Sequence, residues 1–149
     1  MQHFFWILFH GKTLTNSQRD VHGLTGDVSC PRCESGIEDV NHLLRSCRVS
    51  IAVWENISRG VTTSTGFNDE LDSWLASNLC NGKVVNSAPN YLQFALSLWF
   101  LWKWRCNKVF DATFSVHQSH NLIVNSFSRE WLKANFIASA KITGFITVA

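Results

Sequence analysis

The alternation of hydrophobic and polar positions along the chain predicts a series of short helices separated by polar breaks. Residues 2–10 form a short apolar helix. Thr15 begins the next helix with the spacing of a capping box, and Gly23 is placed to end it. A further helix is expected to begin near Glu38, where acidic residues suit the positive end of the helix dipole. A second helical segment is predicted over 49–58. Its apolar residues Val49, Val53, Trp54 and Ile57 follow one another at spacings of four, one and three, which places them on one helical face.

In the second half of the chain, the sequence pattern predicts a loop followed by longer helices. Residues 60–68 are rich in Gly, Thr and Ser and form that loop, and Asn68 is placed to cap an apolar stripe over 71–79. Pro89 then begins a helix to about residue 109 that is apolar nearly all round, which predicts a position in the middle of the core. With a last helix over 115–138, the sequence predicts a mainly α fold.

Composition narrows the class of protein further. The 149 residues suit one domain, 16% of them are charged against the usual ~25%, and seven Trp and eleven Phe predict an aromatic core. A formal net charge of +2 gives no global attraction for nucleic acid. No signal peptide is recognised, and the apolar run over 92–104 is shorter than the ~20 residues that cross a bilayer. Five cysteines do not suggest a disulfide framework, so we expect an intracellular location, nuclear or cytoplasmic.

One segment carries the spacing of a metal site. Cys30 and Cys33 are separated by Pro-Arg, and Ser35-Gly36 then lets the chain reverse. Eight residues separate Cys33 from His42, and four separate His42 from Cys47. Zinc takes four thiolate or imidazole ligands in a tetrahedron, and a structural site leaves no position open. The sequence therefore predicts one structural zinc ion held by three sulfurs and one imidazole. The alternative is an inert or redox-active Cys-x-x-Cys pair, although such a pair usually opens a helix after a strand.

The other cysteines and histidines give weaker indications of a metal site. Cys80 lies at the end of the 71–79 stripe and Cys106 lies inside the long helix, so both are expected to be small core residues. His117 and His120 are three residues apart, but a pair without a third ligand is a weak metal signal.

Further motifs flank the predicted ligands. Residues 4–6 read Phe-Phe-Trp, and residues 10–16 read His-Gly-Lys-Thr-Leu-Thr-Asn. Residues 38–47 read Glu-x-x-x-His-Leu-Leu-x-x-Cys, and Trp54 follows seven residues after the last Cys. Together with the Cys-x-x-Cys pair, these stretches resemble the reverse transcriptase zinc-binding domain of plant non-LTR (LINE-type) retroelement polyproteins. Residues 99–105 are similar to the Trp-x-x-Trp-Lys-x-Arg helix that follows the zinc module in such polyproteins.

The resemblance implies a reverse transcriptase zinc-binding domain over 3–58, a loop and linking helix over 59–87, and a helical region over 88–149. It also implies that the three cysteines and the histidine named above are the metal ligands. The chain has neither the Tyr-x-Asp-Asp of reverse transcriptases nor an acidic cluster suited to two-metal ribonuclease H chemistry. We therefore expect a retroelement piece without polymerase and ribonuclease H domains, and not an enzyme.

Two functions are compatible with this pattern. In the first, Arg32, Arg45 and Arg48 hold the phosphates of RNA or DNA, although nearby acidic residues dilute the patch. In the second, the domain is a zinc-stapled helical scaffold that docks on a protein, such as another retroelement domain, and has no nucleic-acid role. If the domain binds nucleic acid, the tryptophans within 99–104 could stack on bases. With either function they could instead pack in the core, because their helix is apolar on all sides. Neither function involves a membrane or a small-molecule substrate.

Overall fold

The chain folds mainly into helices, as predicted. A computed structural model describes residues 1–57, 70–80, 84–85, 88–111, 113–114 and 122–134. Its elements in chain order are α1 (Gln2–Phe9), α2 (Asn16–Val21), a π-helical turn (His42–Ser46), α3 (Arg48–Ile57), α4 (Leu71–Leu79), β1 (Val84–Val85), β2 (Ala88–Pro89), α5 (Asn90–Phe110) and α6 over 122–134. None of these described helices is both long and apolar enough to cross a membrane.

Several predictions fall outside this part of the chain. They are the loop at 60–68 with the cap at Asn68, the pair His117 and His120, and the two ends of the predicted last helix.

The long helix α5 lies at the centre of the hydrophobic core, as its apolar composition predicts. Phe94, Leu98 and Leu101 are each 0% exposed and follow one another at helical spacing on one face. Around them pack α4, the π-helical turn and α3. The other buried residues of this core come from α1, the π-helical turn, α3, α4 and α6, and are Phe4, Leu8, Leu43, Leu44, Val53, Trp54, Trp74, Leu75 and Val124.

Three aromatic rings form the middle of this core. Trp54 and Trp74 meet edge to face with their ring centroids 5.5 Å apart, and Phe94 lies 5.3 Å from the first and 4.9 Å from the second. Such pairs contribute about 0.5–1.5 kcal/mol beyond the burial of their area. The indole N–H of Trp54 donates to the carbonyl of Leu44 at 2.7 Å, which leaves no unsatisfied donor on this ring.

The first two helices begin and end as their sequences dictate. Thr15 accepts a hydrogen bond from the backbone amide of Gln18 and so caps α2. Gly11 and Gly23 have φ of +63° and +69°, the left-handed conformation that ends a helix in a Schellman motif. After Gly11 the amide of Lys12 donates to the carbonyl of Ile7 at 2.8 Å, which turns the chain back over the last turn of α1.

Three expectations require correction or adjustment. Cys80 is exposed rather than buried, because it follows the last residue of α4 and lies off the face that buries Trp74, Leu75 and Asn78. Cys106 is only partly buried. The helix predicted from Pro89 begins one residue later, since Pro89 pairs with Val84 in a two-residue antiparallel ribbon. Among the tryptophans of α5, Trp104 is buried, whereas the rings at 99 and 102 are partly buried at the edge of the core.

We expect Trp54→Ala to lower the free energy of unfolding by about 3–5 kcal/mol, because it empties the centre of the aromatic core. Trp6→Ala is the matched control: that ring is 50% exposed, so the change should stay within about 0.5 kcal/mol. Urea unfolding followed by circular dichroism measures both values. Equal losses in the two variants would contradict the described core.

Candidate metal centre

The first two predicted ligands lie on a tight hairpin. Ser29 and Ile37 form an isolated antiparallel bridge, and the amide of Cys30 donates to the carbonyl of Gly36 at 3.1 Å. Gly36 has a φ of +73°, so the reversal predicted for this position depends on a conformation that favours glycine. The hairpin places the sulfurs at 30 and 33 on one side of a common centre.

The other two ligands flank the π-helical turn. His42 is its first residue and Cys47 follows its last, with the amide of Cys47 donating to the carbonyl of His42 at 2.9 Å. The carboxylate of Asp39 accepts from the amide of His42 at 2.6 Å and so satisfies the start of the turn. A π-helical turn is wider than an α-helical one, and such turns are frequent at functional sites.

The four side chains converge. Their ligand atoms all lie within 4.8 Å of one another, with Cys30 and Cys47 sulfurs 3.9 Å apart and the Cys33 sulfur 3.3 Å from Nε2 of His42. A tetrahedral zinc ion with Zn–S bonds of ~2.3 Å separates two sulfurs by about 3.8 Å. The three sulfurs are buried and the imidazole is partly buried. This geometry fits a closed metal site and does not resemble an isolated redox pair.

Hydrogen bonds prepare two of the sulfurs to carry negative charge. The backbone amides of Arg32 and Cys33 point at the Cys30 sulfur, and the amide of Val49 points at that of Cys47. The hydrogen bond from Cys30, together with the charge of Arg32, lowers the pKa of Cys47. The pKa of Cys30 is raised, because its proton bridges to that neighbour and because the thiol is buried. A divalent cation would take the place of the shared proton.

A buried ion pair attaches the hairpin to the long helix. Glu38 and Arg105 are 0% and 1% exposed, and their closest oxygen and nitrogen atoms are 2.8 Å apart. The Nε of Arg105 donates to both carboxylate oxygens at 3.1 Å. The expectation that Glu38 acts on a helix dipole is therefore wrong, because its carboxylate is used inside the protein.

Asn16 completes this buried cluster. Its backbone amide donates to the Glu38 carboxylate at 2.8 Å, its side-chain oxygen accepts from Arg105 at 2.9 Å, and its side-chain nitrogen donates to the carbonyl of Ser29 at 2.7 Å. Three segments far apart in sequence thus share one hydrogen-bonded network, in which both carboxylate oxygens of Glu38 and two guanidinium nitrogens of Arg105 have partners.

Sequence reasoning missed this network, although a signal was present. Arg105 continues the buried face of α5, four residues after Leu101 and seven after Leu98. A charge in line with such an apolar stripe requires a buried partner of opposite sign. The carboxylate that fulfils this requirement could not be chosen from the sequence.

The three arginines near the ligands do not form one exposed patch. Arg45 is 2% exposed with its guanidinium 5.1 Å from the Trp74 ring centroid, so it is not accessible to a phosphate. Arg32 is partly buried and donates to the carbonyl of Leu43 and the hydroxyl of Ser50. Arg48, at the start of α3, is the member of this set that is exposed.

Fold and site together define a small helical domain with a Cys3His centre that can hold zinc. Residues 1–54 match the family described as zinc-binding in reverse transcriptase. This N-terminal part of the chain is therefore a zinc-binding domain of the retrotransposon reverse transcriptase type, which confirms the resemblance. No solved structure matches the chain significantly.

A protein of Arabidopsis thaliana, provisionally named as a ribonuclease H protein, is similar to more than this domain. It is 28% identical over 107 residues, which are 72% of this chain and 17% of that protein. A stretch of 107 residues within 149 must include positions 43–107. The similarity therefore extends over α4 and nearly all of α5, including Arg105. The chain corresponds to less than a fifth of its relative's length.

We expect Glu38→Gln to lower the free energy of unfolding by about 3–5 kcal/mol, because it leaves Arg105 buried without a counter-charge. Glu130→Gln changes an exposed carboxylate on α6 and serves as the control, with an effect within about 0.5 kcal/mol. The double variant Glu38→Met with Arg105→Met should be more stable than Glu38→Gln, since it buries no unpaired charge. A double variant less stable than the single one in urea unfolding would contradict this account.

Proposed function

We propose that Cys30, Cys33, His42 and Cys47 bind one zinc ion whose role is structural. The observation that carries this proposal is the convergence of the four ligand atoms within 4.8 Å on a hairpin and a turn that belong to a zinc-binding family. Three thiolates and an imidazole suit zinc, and four protein ligands leave no position for an activated water molecule. The proposed role is therefore scaffolding and not catalysis. A reducing, intracellular compartment, nuclear or cytoplasmic, would keep the three thiols available.

We further propose that the zinc-binding part at 3–58 and the helical region from residue 88 act as a single module. The ion pair between Glu38 and Arg105 supports this, as does a hydrophobic core that unites residues of α1 and α3 with residues of α4, α5 and α6. The similarity to the Arabidopsis protein also extends past the zinc-binding part. In this proposal the chain is the zinc-stapled module of a retrotransposon-type polyprotein, beside its catalytic domains.

Contact with RNA or DNA is the second part of the proposed function. The matching family is one of reverse transcriptases, and the relative is named for ribonuclease H. Because Arg45 is buried and Arg32 is held by Leu43 and Ser50, any contribution from the predicted arginines rests on Arg48. Binding that ignores salt would favour the protein-docking scaffold instead.

Cys33→Ser should remove most of the bound zinc and unfold the N-terminal part, because structural zinc contributes on the order of 10 kcal/mol to folding such segments. The control is Cys80→Ser, which alters an exposed thiol outside the cluster. Metal analysis of the purified proteins and circular dichroism with and without a chelator measure the effect. Unchanged metal content and folding in Cys33→Ser would defeat the proposal of a structural zinc ion.

Arg48→Ala should weaken binding to single-stranded RNA or DNA only slightly, and should reduce the slope of log affinity against log salt by about 0.7. Arg48→Lys keeps the charge and should keep the slope. Fluorescence anisotropy of a labelled oligonucleotide over a KCl series measures both. A slope that does not change in Arg48→Ala would exclude this residue from phosphate contact.

A further inference from the structure

The exposed side of α1 carries an aromatic and basic cluster that the packing of the domain does not use. Trp6 is 50% exposed. The ring of His10 stacks on it with centroids 4.4 Å apart and planes 23° apart, and Nζ of Lys12 lies 5.5 Å from the Trp6 centroid. The ring of His3, one turn earlier on α1, lies parallel to the Trp6 ring within 7°, with the two centroids 6.4 Å apart. We call these four residues the Trp6 platform.

Local backbone geometry assembles the platform. Trp6 and His10 are four residues apart and therefore share one face of α1, and the His10 Nδ1 lies 2.7 Å from the Trp6 carbonyl oxygen. The positive φ of Gly11 lets the chain turn back, which brings Lys12 over the indole. The histidine, the glycine and the lysine thus have separate tasks in placing a cation beside an aromatic face.

Exposure separates this cluster from the other residues through which the chain resembles its family. Asn16, Glu38 and Arg105 are buried and bind one another, and the cysteines are buried at the metal centre. Their role in maintaining the folded structure accounts for these residues. Trp6, His10 and Lys12 are exposed. Their contribution to the core is small, and their side chains are accessible to a ligand.

The charge around the platform favours a polyanion. Residues 1–12, which contain the platform, carry Lys12 and two histidines but no aspartate or glutamate, and the first acidic residue of the sequence is Asp20. Among the residues that the structure describes, Lys12 forms no salt bridge. The half-exposed indole and the exposed histidine rings stacked with it offer aromatic surface to a base, and Lys12 offers a charge to the adjoining phosphate. A purely apolar protein partner would leave the lysine desolvated without a counter-charge.

We infer that the Trp6 platform binds single-stranded nucleic acid, with an unpaired base stacked on its exposed aromatic rings and the adjoining phosphate on Lys12. The inference rests on the nucleic-acid contact proposed above and gives it a location on α1, away from the metal ligands. Stacking is tolerant of sequence because every base has an aromatic face, so the platform is expected to select single strands over duplexes.

The test uses the full chain loaded with zinc and fluorescein-labelled 20-mers of uridine RNA, thymidine DNA and a DNA duplex, measured by anisotropy. Trp6→Ala should weaken single-strand binding by about five- to one-hundred-fold, and Trp6→Phe should retain part of the affinity. Lys12→Ala should reduce the salt slope by about 0.7, and Lys12→Arg should not. The two single strands show whether the sugar matters.

Phe9→Ala is the matched control, because Phe9 is 55% exposed on the same helix but outside the platform. Its affinity should equal that of the unaltered chain, and zinc content and circular dichroism should be unchanged in all variants. Equal losses in Trp6→Ala and Phe9→Ala, tighter binding to the duplex, or binding that ignores salt would each overturn the inference. Because zinc content is measured separately, such a result would leave the structural zinc proposal standing.

Discussion

The ion pair between Glu38 and Arg105 is the interaction on which the arrangement of this domain depends. Both groups are almost fully buried, and burial of either charge alone would cost several kcal/mol. They are compatible with the interior because Asn16 satisfies both, through its backbone amide and its side-chain oxygen. The same pair fixes the relative position of a hairpin, the start of α2 and the long central helix. A shift of any one of these elements would leave a charge unpaired.

The Cys3His cluster and Glu38 of the buried ion pair belong to the same short segment. Glu38 lies between the two ligand pairs in sequence, after the hairpin that carries Cys33 and before the turn that begins with His42. The four side chains that can hold a metal converge within this segment, which also buries Leu43 and Leu44. The ion pair and the aromatic core then attach the segment to α5. This explains how a short metal-binding motif becomes part of a larger helical body.

The residues through which the chain resembles its family therefore fall into two groups with different physical roles. One group is buried and maintains the structure, as Arg105 does on the central helix. The other is exposed on α1 around Trp6, where aromatic and basic side chains meet. Burial, which the sequence does not report, is what separates the two. It also removes Arg45 from the surface, where its position beside the ligands had suggested a phosphate contact.

The sequence by itself determined the local features, because helical periodicity, capping residues and ligand spacing are properties of neighbouring positions. It predicted α5, the cap at Thr15, the reversal at Gly36 and the four converging ligands. Only the tertiary structure decided which charges are buried and which partners they take. The partnership of Arg105 with a carboxylate 67 positions away depends on how helices pack, and no local pattern encodes that distance. For the same reason Cys80 proved to be exposed, since a position at a helix end is covered only if another element lies over it.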